Sequence, residues 1–195
     1  MINWPNRITI GRILLTPLLV MVAIRADEGP HYRTWTLLLF IGLALTDAVD
    51  GFLARALKQK TSLGTFLDPL ADKLLLATAT VLLVVPIWPD PAGGALTRLM
   101  SPTVAVIIIS RDVLLALGAL LTFILTGNLA IRPSILGKLT TATQVAMVVG
   151  ALLPAPDWLR PPLFGGAALF TIASFLGYTY DWTKQLSIFG EPAKK

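Results

Sequence analysis

A chain of 195 residues that is 55% hydrophobic, 14% charged and +0.74 in mean hydropathy is a polytopic membrane protein rather than a soluble one, with room for a single domain spanning 1–195. Sixteen Lys and Arg against eleven Asp and Glu leave a net charge of +5. In a membrane protein that excess belongs to cytoplasmic flanks facing anionic lipid; no interleaving of aromatic and basic residues points to nucleic acid, and the absence of cysteine excludes disulfides, thiolate zinc sites and cysteine nucleophiles.

The N-terminus MINWPNRITIGR has no small-residue cleavage site after its first apolar run, so that run reads as a retained helix over Ile8–Ile24. Five more apolar segments follow: Thr34–Leu57, Thr65–Ile87, Pro102–Leu125, Ile135–Leu153 and Leu163–Trp182. The breaks between them carry turn chemistry, as in DEGP at 27–30, WPDPAGG at 88–94, TGN at 126–128 and PAPDWLRPP at 154–162. His31, the only histidine, falls in the predicted external connection 25–33 and is assigned no role.

Basic residues alternate from loop to loop. Arg7 and Arg12 flank the first helix, Arg55, Lys58 and Lys60 the second connection, Arg132 and Lys138 the fourth, and Lys184, Lys194 and Lys195 the tail, whereas the remaining connections are close to charge-balanced. The positive-inside rule then predicts both termini and the 55–65 loop on the cytoplasmic side, in a cell inner membrane.

Within this apolar background the run TDAVDGFLARALKQKTSLGTFLDPLADK, residues 46–73, carries four aspartates. Asp47 and Asp50 are spaced i,i+3 and Asp68 and Asp72 i,i+4, so each pair lies on one helix face. The acidic halves of the second and third segments are joined by a short loop and must lie side by side. The predicted fold is therefore an all-α integral membrane protein, with six transmembrane helices around a polar cavity open to the cytoplasm. At about 100° per residue, Asp47, Asp50, Gly51 and Ala54 form one stripe with Arg55 at its edge, and Gly64, Asp68 and Asp72 form a second.

Ionisable residues at membrane depth are expensive and default to a functional reading. Four carboxylates with few balancing cations call for divalent metal, and an all-oxygen donor set favours Mg²⁺ or Mn²⁺ over zinc. Two such ions about 3.5–4 Å apart form the clamp used in phosphoryl displacement. Small residues beside the acids admit a ligand close to the backbone, and Arg55 offers a planar fork for phosphate. Salt bridging of the aspartates to Arg55, Lys58 or Lys73 is the bland alternative, and the interleaving of four acids with Gly and Arg makes it the weaker one.

The spacing D-x2-D-G-x2-A-R-x8-G-x3-D-x3-D, with eight fixed residues in 26 positions, resembles the signature of the CDP-alcohol phosphatidyltransferases. That resemblance, together with chain length, implies six transmembrane helices, a homodimer, and transfer of a phosphatidyl group from CDP-diacylglycerol to an alcohol with release of CMP. It implies that Asp47, Asp50 and Asp68 are metal ligands, that Asp72 is the general base near or on the second of two divalent ions, and that Gly51, Ala54, Arg55 and Gly64 line the CDP pocket.

The start PNRITIGRILLTP, residues 5–17, resembles the glycerol-type branch of the family, with Asn6, Thr9 and Arg12 at its spacing. Asn6 and Thr9 are thereby placed in the donor pocket; the alternatives are an N-cap for either and a snorkelling anchor for Arg12. Arg111 and Asp112 interrupt the apolar fourth segment. As neighbours on a helix they point about 100° apart, which predicts different partners for each. Arg111, Arg132 and Lys138 suit an acceptor that already carries phosphate; the structural alternatives are an ion pair to the aspartate cluster and the positive-inside flank. The stretches ISRDVLL and RPS-x2-GK-x2-T-x2-Q are more similar to the eukaryotic-type cardiolipin synthases, which points to phosphatidylglycerol as acceptor, with glycerol 3-phosphate as the alternative.

Two other functions compete. Aspartate-rich membrane prenyltransferases also bind metal diphosphate, but resemble longer chains with two well-separated acidic motifs. A cation or proton transporter is expected to show paired broken helices or an internal repeat, and the sequence has neither.

Overall fold

The computed structural model describes the backbone of residues 4–56, 62–90, 95–126, 135–154 and 156–189. Within those helices, the side chains of 4–8, 47–56, 62–69, 119, 120, 123, 125, 126, 157 and 181–189 lie outside the described residues. Six long helices follow in order: α1 Trp4–Ala23, α2 Pro30–Ala56, α3 Ser62–Val84, α4 Pro102–Thr126, α5 Ile135–Leu152 and α6 Arg160–Phe189. Each predicted apolar segment is one of these helices. The largest departure is α6, which runs on past Trp182 to Phe189. Residues 178–189 contain neither Gly nor Pro, and Trp182, Leu186 and Phe189 recur at i, i+4 and i+7, so nothing in the sequence ends the helix before Gly190. The α3–α4 connection adds a short antiparallel ladder, β1 Trp88–Pro89 with β2 Leu96–Thr97, in register Trp88↔Thr97 and Pro89↔Leu96.

The chain packs as two compact units, Met1–Pro102 with Val148–Asp157, and Thr103–Met147 with Trp158–Lys195. In the first unit α1 lies against both α2 and α3. Its buried stripe is Thr9, Arg12, Thr16, Leu19 and Ala23, stepping by three and four as a helix face must. Leu14, Leu15, Leu18 and Met21 on the same helix are exposed, Leu14 by 71%. An apolar exterior of this kind is unfavourable in water and suits hydrocarbon as solvent. Among the described residues, Thr9–Glu28, Ile135–Leu152 and Arg160–Tyr180 are long and apolar enough to cross a membrane.

Two sets of hydrogen bonds close the first unit. The indole N–H of Trp88, itself fully buried, donates to the Leu82 carbonyl at 2.9 Å, and the amides of Leu99 and Met100 both donate to the Leu83 carbonyl. Arg33, near the start of α2, reaches the end of α5: Nε donates to the Leu152 carbonyl at 3.0 Å, and Nη2 to those of Ala151 at 2.6 Å and Leu153 at 3.1 Å. A helix leaves its last four carbonyls without intrahelical partners, and a cation there also complements the helix dipole.

In the second unit the interior is formed by Ala105, Ile108 and Arg111 of α4, Thr140, Gln144 and Met147 of α5, and Ala167, Thr171 and Ser174 of α6. The Thr140 hydroxyl lies within hydrogen-bond distance of its own helix at Leu136 O, 2.8 Å, and of α6 at Phe170 O, 3.1 Å. Thr171 donates to Ala167 O at 2.7 Å.

Candidate active site

The predicted acidic stripes fall on continuous helix. Asp47, Asp50, Gly51, Ala54 and Arg55 belong to α2, and Gly64, Asp68 and Asp72 to α3. Helical backbone through both runs gives each pair the common face that its spacing requires. Of these residues, the side chain of Asp72 is described: it is half-buried, beside Ala71, which is 1% exposed. The side chains of Asp47, Asp50, Gly51, Ala54, Arg55, Gly64 and Asp68 lie outside the described residues, as does that of Asn6. The donor set, carboxylate oxygens from two helices, fits a hard divalent cation.

The α1 residues are decided by burial. Thr9 is fully buried and stands five residues inside a helix that begins at Trp4, so it is not an N-cap. Arg12 is 2% exposed, which rules out a snorkelling anchor: its guanidinium is enclosed in the first unit rather than extended to an interface. The hydroxyl of Thr16 donates to the Arg12 carbonyl at 2.9 Å, one residue before Pro17, which has no N–H to give.

On α4 the expectation of different partners for Arg111 and Asp112 is corrected. Nη1 of Arg111 donates to Oδ1 of Asp112 at 2.6 Å, with the two side chains 6% and 13% exposed. The Cα–Cβ directions diverge, but the long arginine arm folds back along the helix and brings its guanidinium to the neighbouring carboxylate. Nη2 donates to Oγ of Ser174 on α6, also at 2.6 Å, and the guanidinium carbon stands 5.7 Å from the ring centroid of Tyr178. Ser174 and Tyr178 were not singled out by sequence reasoning. The signal that marks them is the sequence of α6, where Ala167, Thr171, Ser174 and Tyr178 recur at i, i+4, i+7 and i+11.

Lys138 is exposed in the first turn of α5, and Arg132 lies outside the described residues. Gln144, two turns further along α5, is fully buried, and among the described residues neither its amide nitrogen nor its oxygen has a hydrogen-bond partner.

Residues 2–178 match the family of CDP-alcohol phosphatidyltransferases. The chain belongs to that family. This phosphatidyltransferase is 34% identical over 167 residues to the CDP-diacylglycerol–glycerol-3-phosphate 3-phosphatidyltransferase of Bacillus subtilis (strain 168), an alignment covering 78% of each chain. Against the protein of the same name from Escherichia coli (strain K12) it is 32% identical over 180 residues, covering 89% of this chain and 88% of that one. It is also 33% identical over 191 residues to the CMP-forming cardiolipin synthase of Oryza sativa subsp. japonica, covering 90% of this chain and 54% of the rice protein.

Proposed function

We propose that this phosphatidyltransferase moves the phosphatidyl group of CDP-diacylglycerol to a primary hydroxyl of a glycerol-type acceptor and releases CMP. The observation that carries the proposal is the eight-residue signature, five of its residues on α2 and three on α3, in a chain that matches the family over residues 2–178. Members of this family depend in general on divalent metal. Asp47, Asp50, Asp68 and Asp72 would hold two Mg²⁺ or Mn²⁺ ions, which when bound neutralise the diphosphate and the departing CMP. Asn6, Thr9, Gly51, Ala54, Arg55 and Gly64 bind the donor.

Asp72 accepts the acceptor hydroxyl proton as that oxygen attacks the phosphatidyl phosphorus; an alcohol is too weak a nucleophile at neutral pH without such a base. The bond from that phosphorus to the bridging oxygen breaks, and CMP leaves with the electron pair. No covalent enzyme intermediate forms. Arg111, Arg132 and Lys138 bind the phosphate already present on the acceptor.

Glycerol 3-phosphate is the first reading of the acceptor, because the Bacillus and E. coli relatives named for it align over most of their own length. Phosphatidylglycerol is the second, supported by the Arg111–Asp112 pair, the 132–144 stretch and the rice relative. The enzyme works as a six-span homodimer, with both termini and the aspartates on the cytoplasmic face of the inner membrane. Purified protein supplied with CDP-diacylglycerol, Mg²⁺ or Mn²⁺ and each acceptor in turn tests the reading. CMP release that depends on acceptor and stops on chelation is expected; its absence with every glycerol-type acceptor sinks the proposal.

A further inference from the structure

We infer that Ser174 and Tyr178 of α6 are positioning residues for the acceptor's phosphate, acting through Arg111. The inference deepens the proposed function and rests on its assignment of Arg111 to that phosphate. All the contacts that carry it lie inside the second unit.

An arginine on a flexible arm loses side-chain freedom when it binds an anion, and a guanidinium held in place beforehand loses less. Arg111 is held on three sides. Asp112 accepts from Nη1 and Ser174 from Nη2, both at 2.6 Å, while Tyr178 presents its ring at 5.7 Å. Ser174 and Tyr178 are spaced i,i+4 and share one face of α6. The neighbouring threonines of this unit use their hydroxyls on helix carbonyls: Thr140 on Leu136 and Phe170, Thr171 on Ala167, Thr179 on Phe175 and Leu176. Ser174 differs in offering its oxygen to a cation on another helix.

These contacts leave the guanidinium incompletely satisfied. Of its five N–H groups, two are engaged by Asp112 and Ser174, and Nε is buried with no hydrogen-bond partner among the described residues. A purely structural staple gains nothing from a buried donor without an acceptor. The Nε–H lies on the edge of the guanidinium that, together with Nη2, grips two oxygens of a phosphate in parallel. Asp112 balances the charge of the guanidinium, Ser174 sets the plane of the fork, and Tyr178 supports its face.

The test uses the purified full chain and CMP release, titrating glycerol 3-phosphate or phosphatidylglycerol, whichever the wild type turns over. Ser174→Ala and Tyr178→Leu are each expected to raise the acceptor KM about tenfold, with the KM for CDP-diacylglycerol unchanged. Ser174→Thr and Tyr178→Phe, which keep the hydroxyl and the ring face, restore the wild-type acceptor KM. Inorganic phosphate, used as a competitor against the acceptor, should inhibit Ser174→Ala about tenfold less tightly than wild type.

An unchanged acceptor KM in both Ser174→Ala and Tyr178→Leu overturns the inference, as does an equal rise in the donor KM. If one variant fails to fold, the other and its conservative partner decide. A wild type that releases no CMP with any glycerol-type acceptor refutes the underlying function instead, so the two failures are told apart.

Discussion

The Nη1 of Arg111 and the Oδ1 of Asp112 stand 2.6 Å apart, an ion pair between a buried arginine and its half-buried chain neighbour in the middle of α4. Removing one member of such a pair strands the other charge, at a cost of roughly 3–5 kcal/mol, whereas replacing both with apolar residues of similar volume is close to neutral. Asp112→Ala is therefore expected to lower the thermal stability of the detergent-solubilised protein by about 3 kcal/mol. The double change Arg111→Met with Asp112→Leu should recover most of that stability and none of the turnover. If the double variant is no more stable than Asp112→Ala, the pair is not coupled as described.

Arg33 supplies three hydrogen bonds at the C-terminal end of α5, to the carbonyls of Ala151, Leu152 and the residue that follows the helix, Leu153. Hydrogen bonds from a charged donor contribute about 1.5–3 kcal/mol to stability. Arg33→Gln should lower the unfolding free energy by an amount within that range, and Arg33→Lys by less, because an ammonium reaches fewer of the three carbonyls. CMP release by the intact enzyme at low temperature should not change. A full loss of turnover in folded Arg33→Gln would show that this residue does more than cap a helix.

Asp72 and Asp47 are given different work, and neutral isosteres separate them. Asp72→Asn should reduce turnover by about 10²-fold or more, the scale of a lost general base, while retaining some binding of the CDP-linked donor. Asp47→Asn should also weaken metal-dependent donor binding, measured by titration with and without Mn²⁺. Wild-type turnover in either variant contradicts its assigned role.

Gln144 places a fully buried amide, without a partner at either polar atom among the described residues, inside the second unit. An unsatisfied buried polar group costs about 1–3 kcal/mol. Gln144→Leu, of similar volume, is expected to raise the unfolding temperature of the substrate-free protein. A lower temperature would show that ordered water satisfies the amide.

The sequence by itself determined the elements and the chemistry. Six apolar segments bounded by Gly and Pro turns predict the six helices to within a few residues at most ends, because helix formation at membrane depth is dictated by the need to satisfy every backbone group locally. The aspartate stripes were legible for the same reason: spacing along a continuous helix is a one-dimensional property. Partners across helices are not. Only the tertiary structure decided that Arg12 is enclosed rather than snorkelling, that Arg111 folds back to its neighbour while reaching across to Ser174, and that Arg33 closes a helix more than a hundred residues away. Those contacts depend on which faces pack together and on how a long, flexible side chain bends to reach them, and neither is written in the spacing of residues along one helix.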